Sequence, residues 1–196
     1  MINFKTCSEE ELWKYVAAHL ESKGLEVVLV GGAVVSIYSK GSYKSGDLDF
    51  IVTSLFKEKL PAFMKEIGFK KDVKGSLGRL YRHPECSHLV VEFPSGPVSI
   101  GEDYHITPSE QTHAGQKIKI LSPTDCIIDR LASYMYSETG PSKERKTLEQ
   151  AVLVAKAQPH NLERIKKWCE SEGYPEIFEL FLEELKKKSD LTFNND

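Results

Sequence analysis

The residues whose types and spacing could do chemistry fall in three runs: Leu29-Val-Gly-Gly32, Ser45-Gly-Asp-Leu-Asp-Phe50 and Val90-Val-Glu-Phe93. Asp47 and Asp49 lie two apart in an apolar run, so on a strand both carboxylates point to one face. Glu92 alternates with Val91 and Phe93 on a later run and faces away from those neighbours. Three carboxylates gathered together repel one another unless cations are bound. Mg²⁺ suits them, because it takes one or two carboxylates plus substrate phosphates. Two such ions about 4 Å apart stabilise the attacking and leaving oxygens of an in-line phosphoryl or nucleotidyl displacement. A strand that ends in Gly31-Gly32 and turns into a helix presents backbone N–H groups at a positive helix N-terminus, which suits phosphate oxygens.

These residues need elements to hold them. Ser8-Glu-Glu-Glu11 is a capping box, and behind it Leu12, Val16 and Leu20 recur at helical spacing up to a stop near Lys23-Gly24, with Gly24 as C′. Leu25–Val30 is short, β-branched and almost wholly apolar, which predicts a buried strand. Gly31-Gly32 breaks it, and Ala33–Tyr38 resumes a helical pattern. Asp47–Val52 predicts a second strand, followed by a helix over Phe56–Ile67 that stops at Gly68. From 69 to 121, segments of strand character (Arg79–His83, His88–Phe93, Val98–Ile100, Lys117–Leu121) are separated by Gly, Pro and Ser. After Leu121 the pattern is helical. Ser122-Pro-Thr-Asp125 supplies a cap, a Pro at N1 and an acid in the first turn. Ser142 and Asn161 open two more helices, and Pro175 opens the last, which ends in Lys186–Lys188. The expectation is an α/β fold, with a mixed-sheet core and flanking helices over 1–121 and a helical bundle over 122–196.

Composition bounds what these elements can serve. The 196 residues hold 26 Lys+Arg against 29 Asp+Glu, a net charge of −3, and 40% are hydrophobic, enough for a packed core. A pI of about 6.1 excludes a protein that coats nucleic acid by charge alone, but not a local basic cleft. No run approaches the roughly 18 apolar residues of a membrane span. Cys7, Cys86, Cys126 and Cys169 are far apart with no CxxC pair, which reads as reduced thiols. The start of the chain has no apolar leader, so the expected location is cytoplasmic.

The order Gly31-Gly32, then Ser45-x-Asp47-Leu48-Asp49-Phe50, then an acid on a later strand resembles the DNA polymerase β-like nucleotidyltransferase superfamily. Within it, the chain most resembles the bacterial subgroup related to abortive-infection toxin nucleotidyltransferases. Leu121–Ala132 and Leu148-Glu-Gln-Ala151 also look like the C-terminal helices of that subgroup, so the resemblance spans roughly residues 25–155. It implies a nucleotidyltransferase-type fold and transfer of a nucleoside monophosphate from an NTP to an acceptor (RNA or tRNA, a protein or a small molecule). Asp47 and Asp49 would hold two Mg²⁺ ions, for which Mn²⁺ could substitute. Glu92 would complete one ion's site and accept the acceptor's proton. Gly31, Gly32 and Ser45 would bind the triphosphate, helped by Lys44 and Arg145. Where many relatives carry Arg, this chain has Tyr43, with Lys44 beside it. The resemblance leaves open a non-catalytic nucleotide- or RNA-binding member of the fold, as a toxin–antitoxin component with an antitoxin partner.

Other features carry two readings each. Lys143, Arg145 and Lys146 sit at a predicted helix start, where the dipole does not favour cations, so they mark a solvated face or a phosphate or RNA nearby. Asp129-Arg130, within an apolar helix, reads as a buried pair or as a nucleotide contact. His83-Pro-Glu-Cys86-Ser-His88 invites zinc, but a structural zinc takes four ligands, usually in two close pairs, and no second pair follows. His105 and His113 are too loosely placed to complete it, so the segment reads as a loop leading into the Glu92 strand. No P-loop lysine motif is present.

Overall fold

The structure, a computed structural model, describes residues 2–55, 57–72, 79–96, 98–101, 104–136 and 141–190, and describes the backbone alone at 104–105, 141–144 and 188–190. Helix α1 (Glu9–Ser22) begins as its sequence dictates: Glu11 N–H donates to Ser8 Oγ while Ser8 N–H donates back to the Glu11 carboxylate. The helix buries Leu12, Trp13, Val16 and Leu20, and the chain leaves it through Gly24 at φ +74°, a conformation glycine adopts without strain. Strand β1 (Val27–Val30), helix α2 (Gly32–Tyr38) and strand β2 (Asp47–Val52) follow.

A helix over Phe56–Ile67 is only partly realised. A single 3₁₀ turn at Lys57–Lys59 precedes α3 (Leu60–Glu66), because Pro61 belongs in a first helical turn and not in a helix interior; Phe56 lies outside the described residues. The strands that come next are β3 (Lys70–Lys71), β4 (Leu80–His83), β5 (Cys86–Glu92), β6 (Ser99–Ile100), β7 (Tyr104–His105), β8 (Ser109–His113) and β9 (Gln116–Ile120). β6 and β7 pair only with each other, and the remaining seven strands form one mixed sheet in the order β3-β4-β5-β2-β1-β9-β8. β1 runs antiparallel to β2 and parallel to β9, while β2 runs parallel to β5. The two acid-bearing strands are therefore neighbours in mid-sheet.

The chain then turns helical through α4 (Pro123–Met135), α5 (Pro141–Ala157), α6 (Leu162–Ser171) and α7 (Pro175–Asp190). Ser122 caps α4 and Asn161 caps α6 with their side chains, as their residue types require. α4 packs on α5 and α6, and α5 packs on α2 and α7. Buried polar groups tie these helices to the sheet. Tyr38 Oη donates to the Leu121 carbonyl at 2.6 Å, and Gln158 Nε2 donates to the Tyr38 carbonyl at 2.9 Å. Asp125 has no exposed surface; Arg164 Nη2 donates to it at 2.8 Å and Ser122 Oγ at 2.5 Å. Among the described residues no helix is long and apolar enough to cross a membrane. The architecture is mixed α/β, as the sequence predicts.

Candidate active site

Strand alternation sorts the acids from the core. Leu48, Phe50 and Val52 of β2 and Leu89 and Val91 of β5 are buried, while Asp47, Asp49 and Glu92 are half-buried on the other face. The parallel register sets Asp49 opposite Glu92 and Asp47 opposite Val90, so the acids of two strands share one patch. Behind them Phe50 and Phe93 stack with ring centroids 5.7 Å apart, and Tyr81 meets Phe93 edge-on, which pins β2 to β5.

The glycine pair closes on this patch. Gly31, at φ +73°, caps α2 without a side chain, and a Cβ there would collide with Asp49 Oδ2. A Cβ on Gly32 would sit 2.5 Å from Ser45 Oγ. Glycine is thus required twice over at Gly31, for its backbone conformation and for the close approach. Ser45 holds Asp47 through a hydrogen bond from its Oγ to Asp47 Oδ1, and its own N–H donates to Glu9 Oε1 at 3.0 Å. Ser45 therefore has a positioning role that its motif alone does not reveal.

Electrostatics mark Asp49. Burial, then the nearby charges of Asp47 and Glu92, push its carboxyl up to about 7, against the opposing pull of Arg130. A set of oxygen donors that repel one another fits a hard divalent cation such as Mg²⁺. Arg130 lies on α4 with its side chain only 13% exposed; Nη2 donates to Asp129 Oδ2 at 2.5 Å and Nη1 to Gln150 Oε1 at 3.3 Å. The Asp129–Arg130 pair is present but half-buried, and its arginine also acts on Asp49. A cation beside the apolar stretch of Ile127, Ile128 and Leu131 is the signal that points to it.

The remaining basic residues spread around the patch. Lys44 is exposed. Lys146 Nζ sits 5.4 Å from the centroid of the Tyr43 ring, joining α5 to the loop that precedes Asp47. Arg145 is exposed and pairs with Glu149 at 3.6 Å along its own helix, so Lys146 makes the loop contact that Arg145 does not. The Lys143 side chain lies outside the described residues.

No protein-family model matches the chain, and no curated protein matches it. Solved structures do. An antigenic nucleotidyltransferase-like protein from Paracoccidioides brasiliensis superposes with a TM-score of 0.60 at 16% identity, over 94% of this chain and 90% of that one. ANT(2")-Ia, solved in complex with adenylyl-2"-tobramycin, superposes with a TM-score of 0.54 at 14% identity, over 90% of this chain and 97% of that one. At such identities the likeness establishes the fold, which is nucleotidyltransferase-like.

Proposed function

We propose that this chain is a Mg²⁺-dependent nucleotidyltransferase that moves a nucleoside monophosphate from an NTP to an acceptor hydroxyl and releases pyrophosphate. The observation that carries this reading is the register of Asp49 beside Glu92, with Asp47 on the same face and the Gly31-Gly32 turn closed on Asp49 and Ser45. Mg²⁺ held by Asp47, Asp49 and Glu92 would offset charge on the triphosphate and make the acceptor hydroxyl easier to deprotonate. Glu92 accepts the acceptor's proton. The acceptor oxygen bonds to the α-phosphorus as the bond to pyrophosphate breaks, and pyrophosphate departs with the electron pair. Backbone N–H groups at Gly31 and Gly32 and the Ser45 hydroxyl face the triphosphate, with Lys44, Lys146 and Arg130 adding positive charge and Arg145, engaged with Glu149, contributing least. Asp49 would give up its proton on binding the cation, since burial and then the charges of Asp47 and Glu92 disfavour its ionised form until one is present.

The fold shared with ANT(2")-Ia supports a small-molecule hydroxyl as the first acceptor to try, ahead of RNA or protein. The motif in Leu121–Ala132 supports the abortive-infection-related subgroup. The test supplies each of the four α-labelled NTPs with Mg²⁺ and pools of aminoglycoside-type polyols, total RNA or protein. Label transfer and pyrophosphate release are expected, both lost in Asp47→Ala and Asp49→Ala. Tight NTP binding without pyrophosphate release would make the chain a nucleotide-binding member of the fold, and unchanged turnover in both variants would sink the assignment of the site.

A further inference from the structure

β5 carries Glu92 at one end and Cys86 and His88 at the other. The segment before α1 crosses that second end and brings the Cys7 Sγ within 4.8 Å of the Cys86 Sγ. The Sγ atoms of Cys7 and Cys86 and a ring nitrogen of His88 all lie within 4.8 Å of one another. Tetrahedral zinc, with Zn–S about 2.3 Å and Zn–N about 2.0–2.1 Å, sets its ligand atoms roughly 3.5–3.8 Å apart, so the three donors need close only slightly. Among the described residues the acids at 47, 49 and 92 do not draw together this tightly.

The histidine is already oriented for ligation. His88 Nε2 lies 2.8 Å from the Cys7 carbonyl oxygen and donates its proton there, which leaves the lone pair on Nδ1. Nδ1 lies 3.9 Å from Cys86 Sγ. An imidazole fixed through one nitrogen by a backbone carbonyl, with its other nitrogen turned to a thiol, is how proteins hold a metal-ligating histidine. A Cys7–Cys86 disulfide would make no use of this third donor. His83 takes a different part: its ring stacks on Phe4 with centroids 3.7 Å apart, and Phe4 also meets Phe69 edge-on. These contacts seat the segment that delivers Cys7. Cys7 thus supplies the donor that the His83-to-His88 run lacks.

We infer that Cys7 Sγ, Cys86 Sγ and His88 Nδ1 bind one Zn²⁺, with a fourth position open to solvent on the exposed His88 side, in a site separate from Asp47, Asp49 and Glu92. Two thiolates and an imidazole are a borderline-soft set that suits zinc and not magnesium. Binding releases two thiol protons. The ion would fasten the chain segment before α1 to the strand that bears Glu92.

The test loads the full chain with equimolar Zn²⁺, dialyses it against zinc-free buffer and measures retained metal by mass spectrometry. Wild type is expected to keep one zinc per chain, and Cys86→Ser and His88→Ala to keep less than a tenth of that. Asp47→Asn/Asp49→Asn should keep it in full, which separates this site from the acids. Co²⁺ loading should give a thiolate-to-cobalt charge-transfer band that His88→Ala weakens; because His88 is exposed, that variant folds even if a cysteine variant does not. Trace retention by wild type, retention unchanged in His88→Ala, or an intact mass short of two hydrogens from a Cys7–Cys86 disulfide would each overturn the proposal.

Discussion

Asp125 and Asp49 are both drawn out of water, yet the fold surrounds them with opposite company. Asp125, in the first turn of α4, meets Arg164 Nη2 at 2.8 Å and Ser122 Oγ at 2.5 Å. Asp49, in mid-sheet, lies in the repelling fields of Asp47 and Glu92, with the opposing charge of Arg130 engaged by Asp129. The first arrangement neutralises a buried charge and fixes how α4 and α6 meet. The second keeps charges in conflict at a cost in stability, the pattern expected where a ligand completes the balance. The contrast separates a structural acid from a candidate functional one by the sign of its surroundings, and it makes opposite predictions for the two residues.

The largest effect should fall on activity. Asp49→Ala or Asp47→Ala should lower kcat/KM for nucleotide transfer by about 10³-fold or more, on the order of 4 kcal/mol in transition-state stabilisation. Pyrophosphate release measures it, with circular dichroism to confirm the fold. A folded Asp125→Asn variant that lost as much, beside an Asp49→Ala variant that lost little, would reverse the assignment.

Stability should follow the other aspartate. Asp125→Ala removes a carboxylate wholly out of water from Arg164 and from the Ser122 cap, and should destabilise the chain by about 3 kcal/mol. Arg164→Ala should cost at least as much, because it leaves the wholly buried Asp125 carboxylate without that guanidinium. Urea midpoints at constant slope give both values.

Asp49→Asn should do the reverse and stabilise, by on the order of 2 kcal/mol at pH 8. The folded-state value of about 7 lies above the ordinary 3.8, so the folded chain holds a proton that the unfolded chain has lost across that range. Wild type therefore loses this contribution as pH rises from about 4 to about 7, whereas Asp49→Asn does not. The gap between the two should be near zero at pH 4 and fully open above pH 7, as followed by thermal unfolding in buffer without divalent cations. The same proton competes with the metal, so activity should fall below about pH 7 and recover with added Mg²⁺. A gap that closed at high pH would mean that burial and the charges of Asp47 and Glu92 do not destabilise the Asp49 anion.

Much of this contrast is legible in the sequence, for physical reasons that stop at the range of local pattern. The acid–apolar alternation of Asp47–Val52 gives that strand to the residue, and the Ser8, Ser122 and Asn161 caps place three helix starts. β8 escapes because it is an edge strand with polar residues and four of its five positions exposed, so no buried face imprints a period. The influence of Arg130 on Asp49 depends on how α4 docks. Cys7 and His88 are 81 residues apart, and nothing in their neighbourhoods announces the pairing. The acids are readable because their spacing is the motif; their electrostatic company is a property of the folded chain.

The smallest effect tests the edge of the comparison, where α5 brings a cation to the loop that precedes Asp47. Lys146 lies over the Tyr43 ring at 5.4 Å, so α5 brings a second cation to a loop that already carries Lys44. A cation–π contact at such a surface is worth about 0.5–1 kcal/mol. Lys146→Ala should therefore change stability by no more than that, yet raise KM for the NTP about three- to fivefold with kcat unchanged, the signature of lost binding rather than lost chemistry. Tyr43→Leu should give a similar rise, and the double variant should add little to either, since both remove one contact. Arg145→Ala should change KM by less than about twofold, because that side chain is exposed and engaged with Glu149 along its own helix. A larger loss at Arg145 than at Lys146 would move the triphosphate's counter-charge outward along α5.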